Sequence, residues 1–74
     1  MRLINMTKTG LNIKRLQKEN SISVQDLQTK LCLGSKQSIY KWYWGQSLPD
    51  IQNLVSMSEI FNCKVEDILI FDEI

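Results

Sequence analysis

Residues 23–45 read SVQDLQTKLCLGSKQSIYKWYWG. Two short helical patterns, each opened by a serine, flank a break at Gly34. Ser23 followed three residues later by Asp26 has the form of a capping box, in which each side chain satisfies a free backbone amide of the other residue. It predicts a helix that turns Val24, Leu27 and Leu31 toward a core. Ser35 is read as the cap of a second helix, which Gly45 stops. At about 100° per residue this second helix has two usable faces. Ile39, Trp42 and Tyr43 share one, with Trp42 read as core, while Gln37, Tyr40, Lys41 and Trp44 recur at i, i+3, i+4 and i+7 on the other. An outer face of amide, phenol, ammonium and indole can meet the edges and backbone of a nucleic acid. The pair therefore reads as a helix-turn-helix whose second helix does the reading.

Outward from this stretch the chain is helical, with no alternating apolar run long enough for a sheet. Thr9 is expected to cap a first helix that runs to about Glu19 and ends at Asn20, with Ile13 and Leu16 inward and Lys14, Arg15 and Lys18 on a solvated face. After Gly45 comes the connector GQSLPD, where Pro49 disfavours helix at Leu48 and Asp50 caps the next element. Ile51, Leu54, Val55, Ser58 and Phe61, with Met57 and Ile60 beside them, predict a broadly buried helix. A short last helix turns Val65, Ile68 and Leu69 inward and carries Glu66 and Asp67 in its first turn, where carboxylates suit the helix dipole. The expected fold class is all-α, a compact bundle of five helices. Residues 1–8 are expected to be a loose arm carrying Arg2 and Lys8, 9–69 the folded domain, and 70–74 an apolar and acidic tail.

Seventy-four residues make one domain with a modest core, since a chain of this size buries only about 60% of its unfolded surface. No apolar run approaches the roughly 18 residues of a membrane span, and MRLINMTKTG lacks the apolar stretch of a signal peptide, so no membrane partner and a cytoplasmic location are expected. Cys32 and Cys63 stand far apart with no histidine in the chain, which rules out zinc-finger spacing, and both are read as small buried apolar residues. No metal and no cofactor are expected. With no histidine, no glycine-rich phosphate loop and no nucleophile beside a base, there is no catalytic constellation either. An enzyme is not expected.

The net charge of +1 conceals a polarity. Residues 1–49 hold eight lysines and arginines against two acids, a net +6, and residues 50–74 hold one lysine against six acids, a net −5. A basic half that includes the outward face of residues 35–44 suits a polyanion, although charge runs also mark ordinary solvated faces.

The stretch NIKRLQKENSISVQDLQTKL (12–31), followed by QSIYKWYWGQSLPDIQNLVSMSEIFNCKVEDIL (37–69), resembles the Cro/lambda-repressor type (XRE-type) helix-turn-helix family of phage and bacterial transcriptional regulators. The tryptophan of KW with Gly45 close behind, the SLP that follows, the IQNLV of the fourth helix and the VEDIL of the fifth stand in the family's order and approximate spacing. The resemblance covers about residues 11–69. It implies a lambda-repressor-like five-helix DNA-binding domain that places its third helix in the major groove of double-stranded DNA, usually as a homodimer. By this resemblance Lys36, Gln37, Tyr40 and Lys41 are expected to contact bases and Ser35, Ser38 and Gln46 to hold phosphates. The function implied is transcriptional regulation, with repression as the expected sign.

This chain departs from the family pattern at several positions. Where the family opens its second helix with a phosphate-touching glutamine stands Val24, with Gln25 next. Gln28 replaces the usual small residue facing the recognition helix, and the turn over 32–35 is one residue longer. The arginine and glutamate that many members pair between the first and third helices are here Gln17 and Tyr43, a neutral substitute for a buried ion pair. Trp44 has no usual counterpart, and both it and Tyr40 suit either DNA or a protein interface. The alternative function is thus a protein-interaction module, of antitoxin-like or regulator-partner kind, that takes a polypeptide partner. In the tail, ILIFDEI carries more apolar groups than one short helix can bury. They suit either a two-fold dimer or a fold-back of Phe71 and Ile74 over Leu3, Ile4 and Met6.

Overall fold

The structure, a computed structural model, describes residues 1–74. Its elements in chain order are β1 (Arg2–Ile4), α1 (Met6–Glu19), α2 (Val24–Lys30), α3 (Gln37–Tyr43), α4 (Ile51–Ile60), α5 (Val65–Ile68) and β2 (Phe71–Glu73).

Side-chain caps set most helix starts, and two differ from expectation. Asn5, not Thr9, begins α1: its Oδ1 accepts from the Lys8 amide at 2.8 Å. Thr9 lies inside the helix and fully buried, because its Oγ1 has another partner, the Ile70 amide at 2.9 Å. At α2 the capping box forms as read, with Ser23 Oγ accepting from Asp26 N at 3.0 Å and Asp26 Oδ2 from Ser23 N at 3.4 Å. Ser35 does not cap α3 directly. Its Oγ accepts from Gln37 N at 3.3 Å, and Lys36, which offers no side-chain acceptor, occupies the cap position. Asp50 caps α4 through Asn53 N at 2.8 Å.

The first four helices all end in one motif. In each, a left-handed residue follows the last turn, its amide bonding the carbonyl three residues back and the next amide the carbonyl five back. The left-handed residues are Ser21, Cys32, Gly45 and Asn62, at φ of 55°, 55°, 71° and 53°. After α2, Cys32 N bonds Thr29 O at 3.1 Å and Leu33 N bonds Gln28 O at 3.0 Å. The break between α2 and α3 therefore lies at Cys32 and not at Gly34, where an added Cβ would meet nothing. The turn carries the Cys32 side chain to solvent, which corrects its reading as buried; Cys63 is half-buried. Ile22, Leu33 and Cys63, each directly after a left-handed residue, pack against the core.

Ile13, Leu27, Ile39, Met57 and Ile68 are fully buried at the centre, completed by Leu16, Leu31, Trp42 and Phe61. α4 is less buried than its periodicity suggested. Ile51 is 80% exposed and Val55 is also exposed, because the inward stripe of α4 runs through Leu54, Met57 and Phe61. Gly10 lets α1 lie directly on α3: a Cβ there would come within 1.9 Å of the Trp42 carbonyl oxygen.

The domain is mostly helical but not strictly all-α. β1 and β2 pair antiparallel in the register Arg2↔Glu73, Leu3↔Asp72 and Ile4↔Phe71. Thr9 fixes Ile70, Asn12 Nδ2 donates to the Asp67 and Ile68 carbonyls at 2.8 and 2.9 Å, and Asn5 N bonds Ile70 O at 2.7 Å. The two ends are thereby laid side by side. Arg2 is not on a loose arm: its guanidinium sits 4.2 Å from the centre of the Phe71 ring, and Lys8 belongs to the first turn of α1. Phe71 does fold back onto the N-terminal residues, by strand pairing, while Leu3, Ile4 and Ile74 stay exposed.

Candidate nucleic-acid interface

The two faces of α3 separate as periodicity requires. Ile39 and Trp42, the latter 4% exposed, enter the core, and Tyr43 packs at its edge. Gln37, Tyr40, Lys41 and Trp44 lie outward, with Trp44 59% and Tyr40 37% exposed. Tyr40 and Trp44 form a stacked pair, centroids 6.0 Å apart and planes at 21°, so the far half of this face is a continuous aromatic surface. Ser35 and Lys36 are exposed ahead of the helix and Ser38 is half-buried on its first turn. Gln46 is exposed beyond Gly45, its backbone N–H donating to the Lys41 carbonyl at 2.9 Å. Gln25 is exposed on the first turn of α2, where Val24 is half-buried against the core.

α3 is held against α1 by three contacts. Gly10 takes the Trp42 carbonyl, Gly45 meets Thr7 so closely that a Cβ would lie 2.8 Å from its Oγ1, and the Tyr43 hydroxyl donates to Gln17 Oε1. Burial holds the Tyr43 phenol above its ordinary pKa, and the neighbouring Tyr40 phenol adds to the shift. With the Gln17 carbonyl accepting from it, the phenol is held as a neutral donor.

Between α1, the start of α2 and the outer side of α3 lies an open groove of about 490 Å³. Lys14, Gln17 and Lys18 form one wall and Tyr40, Tyr43 and Trp44 the other, with Ile22 and Val24 at its base. Lys14 Nζ stands 5.6 Å from the centre of the Tyr43 ring. Lys14 and Lys18, read from sequence as a solvated face, thus share a concavity with the outer aromatics of α3. Helical spacing within α1 cannot reveal this, because it depends on how α1 crosses α3.

The sequence profile of the Cro/C1-type HTH DNA-binding domain matches residues 12–73. The chain belongs to that family. No curated protein and no solved structure matches it significantly. As a Cro/C1-type domain the chain has its helix-turn-helix in α2 and α3, and the departures read from its sequence have structural answers. Gln28, in the place of a small residue, donates from Nε2 to the Leu33 carbonyl at 3.3 Å and so ties the lengthened turn. The Gln17–Tyr43 pair, read from sequence as a neutral substitute for an ion pair, forms a hydrogen bond between α1 and α3. No helix is long and apolar enough to cross a membrane.

Proposed function

We propose that the protein binds double-stranded DNA sequence-specifically, with α3 in the major groove, and regulates transcription as a repressor. The observation that carries this reading is the exposed face of α3, where Gln37, Tyr40, Lys41 and Trp44 project from a helix whose opposite face is locked in the core. Lys36, Gln37, Tyr40 and Lys41 contact base edges; Ser35, Ser38, Gln46 and Gln25 hold the flanking phosphates; Trp44 lies along the backbone. Residues 9–69 form the DNA-binding unit, and the end segments 1–8 and 70–74, joined through the β1–β2 pair, carry the contact of a homodimer that sets two α3 helices about 34 Å apart. The protein acts in the cytoplasm, and its work is binding rather than chemistry.

The net +6 of residues 1–49 supports an electrostatic component that must respond to salt. Duplex titration between about 50 and 200 mM salt tests the reading: a dimer neutralising several phosphates loses on the order of a hundredfold or more in affinity over that range. A salt-independent interaction confined to a polypeptide partner would favour the protein-interaction alternative and overturn DNA binding.

A further inference from the structure

We infer that the groove between α1 and α3 is a binding site for a single nucleotide, the base stacked on the Tyr40–Trp44 pair and the phosphate held by Lys14 and Lys18. The volume, about 490 Å³, falls in the range of small-molecule sites. Its composition is one-sided: aromatic rings and two ammonium groups, with no carboxylate among the lining residues. The acids nearest in sequence are engaged elsewhere, Glu19 with Arg15 at 2.5 Å and Asp26 in the α2 capping box. Lys14 and Lys18, one helical turn apart on α1, put two positive charges on one rim, which suits a phosphate dianion better than a single carboxylate. From Lys14 to the centre of the Tyr43 ring is 5.6 Å, and from Tyr43 to Tyr40 and Tyr40 to Trp44 the centroids step 6.0 Å each. The cations on α1 and the stacked rings on α3 thus line one groove with Tyr43 between them, an order that suits a planar ring joined to a phosphate through a sugar.

The aromatic surface also distinguishes a free nucleotide from the duplex. Stacking needs the face of a base, and duplex DNA keeps its base faces inside the helical stack, offering edges and backbone. A single strand would need successive stacking surfaces. The remaining aromatics offer none: Trp42 and Phe61 are buried, Tyr43 is half-buried at the core edge with Lys14 over its ring, and Phe71 lies under Arg2. One base fits. Because Tyr40 and Trp44 also belong to the proposed DNA-contacting face, a bound nucleotide competes with DNA, and by linkage DNA expels the nucleotide to the same degree. The competition rests on the DNA-binding reading; the site itself does not.

The test is a heteronuclear NMR and calorimetric titration of the full chain with adenosine 5′-monophosphate, adenosine and ribose 5-phosphate. Adenosine 5′-monophosphate should shift amides of residues 14–18, 23–24 and 40–44, and both fragments should bind at least about tenfold more weakly. Trp44→Ala should lower the affinity roughly five- to a hundredfold, the range for losing one stacked base. Lys14→Gln with Lys18→Gln should lower it about fivefold or more while leaving the fold unchanged by circular dichroism. No shift in the groove up to about 10 mM, shifts elsewhere, or a fragment binding as well as the whole nucleotide would overturn the site. A nucleotide that binds the groove without displacing bound duplex would overturn the competition alone. Failure of the wild-type chain to bind any duplex would count against the DNA reading and leave the nucleotide result standing.

Discussion

The Tyr43 hydroxyl donates to the side-chain carbonyl of Gln17, joining the inner edge of α3 to the late turns of α1 without a charge on either partner. Gln17 is buried, so losing its partner leaves an unpaired polar group in the interior. Tyr43→Phe should cost about 1 to 3 kcal/mol, and adding Gln17→Leu should recover most of that, because two matched apolar groups leave nothing unsatisfied. Denaturant midpoints of the two single variants and the double variant measure it. A double variant as unstable as the sum of the singles would show that the pair is not coupled.

The same hydroxyl gives the fold a pH limit on the alkaline side. Tyr43 has a folded pKa above its unfolded value of about 10, so its contribution is fully present below that value and is lost as pH rises through the folded pKa. The melting temperature of the wild type should fall more steeply above about pH 10 than that of Tyr43→Phe, which has nothing to ionise there. Parallel curves for the two proteins would refute the assignment.

Glycine tolerance should differ sharply between two sites. Gly10→Ala places a methyl 1.9 Å from the Trp42 carbonyl, and relief requires moving α3 off α1, so a loss above about 3 kcal/mol is expected. Gly34→Ala meets nothing and removes freedom from the unfolded chain, so it should be neutral or stabilising by up to about 1 kcal/mol. Thermal melts of both report the contrast, and equal effects would contradict the α1–α3 contact.

Truncating the two tryptophans should separate the faces of α3. Trp42→Ala removes a buried indole and should cost roughly 3 to 5 kcal/mol, whereas Trp44→Ala, at an exposed position, should cost under about 1 kcal/mol. Equal destabilisation in urea titrations would mean that the helix is rotated from the orientation described.

These contrasts follow what the sequence could and could not carry. The capping box at Ser23 and Asp26, the Asp50 cap, the stop at Gly45 and the two faces of α3 were legible because each depends on residues within one or two turns. Thr9 stood in for Asn5 because threonine is also a favoured cap by type, and its hydroxyl is diverted only by Ile70, at the other end of the chain. β1 and β2 are three residues each, too short to show alternation, and exist because Asn12 and Thr9 hold the C-terminal segment beside the N-terminus. Ile51 looked buried because periodicity gives the spacing of a stripe but not how far a small core extends along it. At the candidate site the face of α3 was readable, while the groove was not, since Lys14 and Trp44 come to line one groove only through the crossing of two helices.

Assembly follows from the apolar groups left uncovered beside the sheet. Leu3 and Ile4 are exposed there and Ile74 is 73% exposed, which suits a self-complementary contact. The wild type should sediment as a dimer at tens of micromolar protein and Ile74→Glu as a monomer, since the added charge would have to be buried. A wild type of monomer mass at every concentration would remove the contact between the ends, though two copies can still meet on DNA.

Sequence reading by α3 is measured by selection of bound sequences from a random duplex pool, run in parallel on the wild type, Gln37→Ala and Lys41→Ala. The expected result is enrichment of two related half-sites with centres about 10 base pairs apart, and in each variant a loss of preference at its own position, worth about 1 to 3 kcal/mol of discrimination. A pool with no enriched sequence, or an unchanged preference in both variants with normal circular dichroism, would contradict the assignment of α3 as the element that reads DNA.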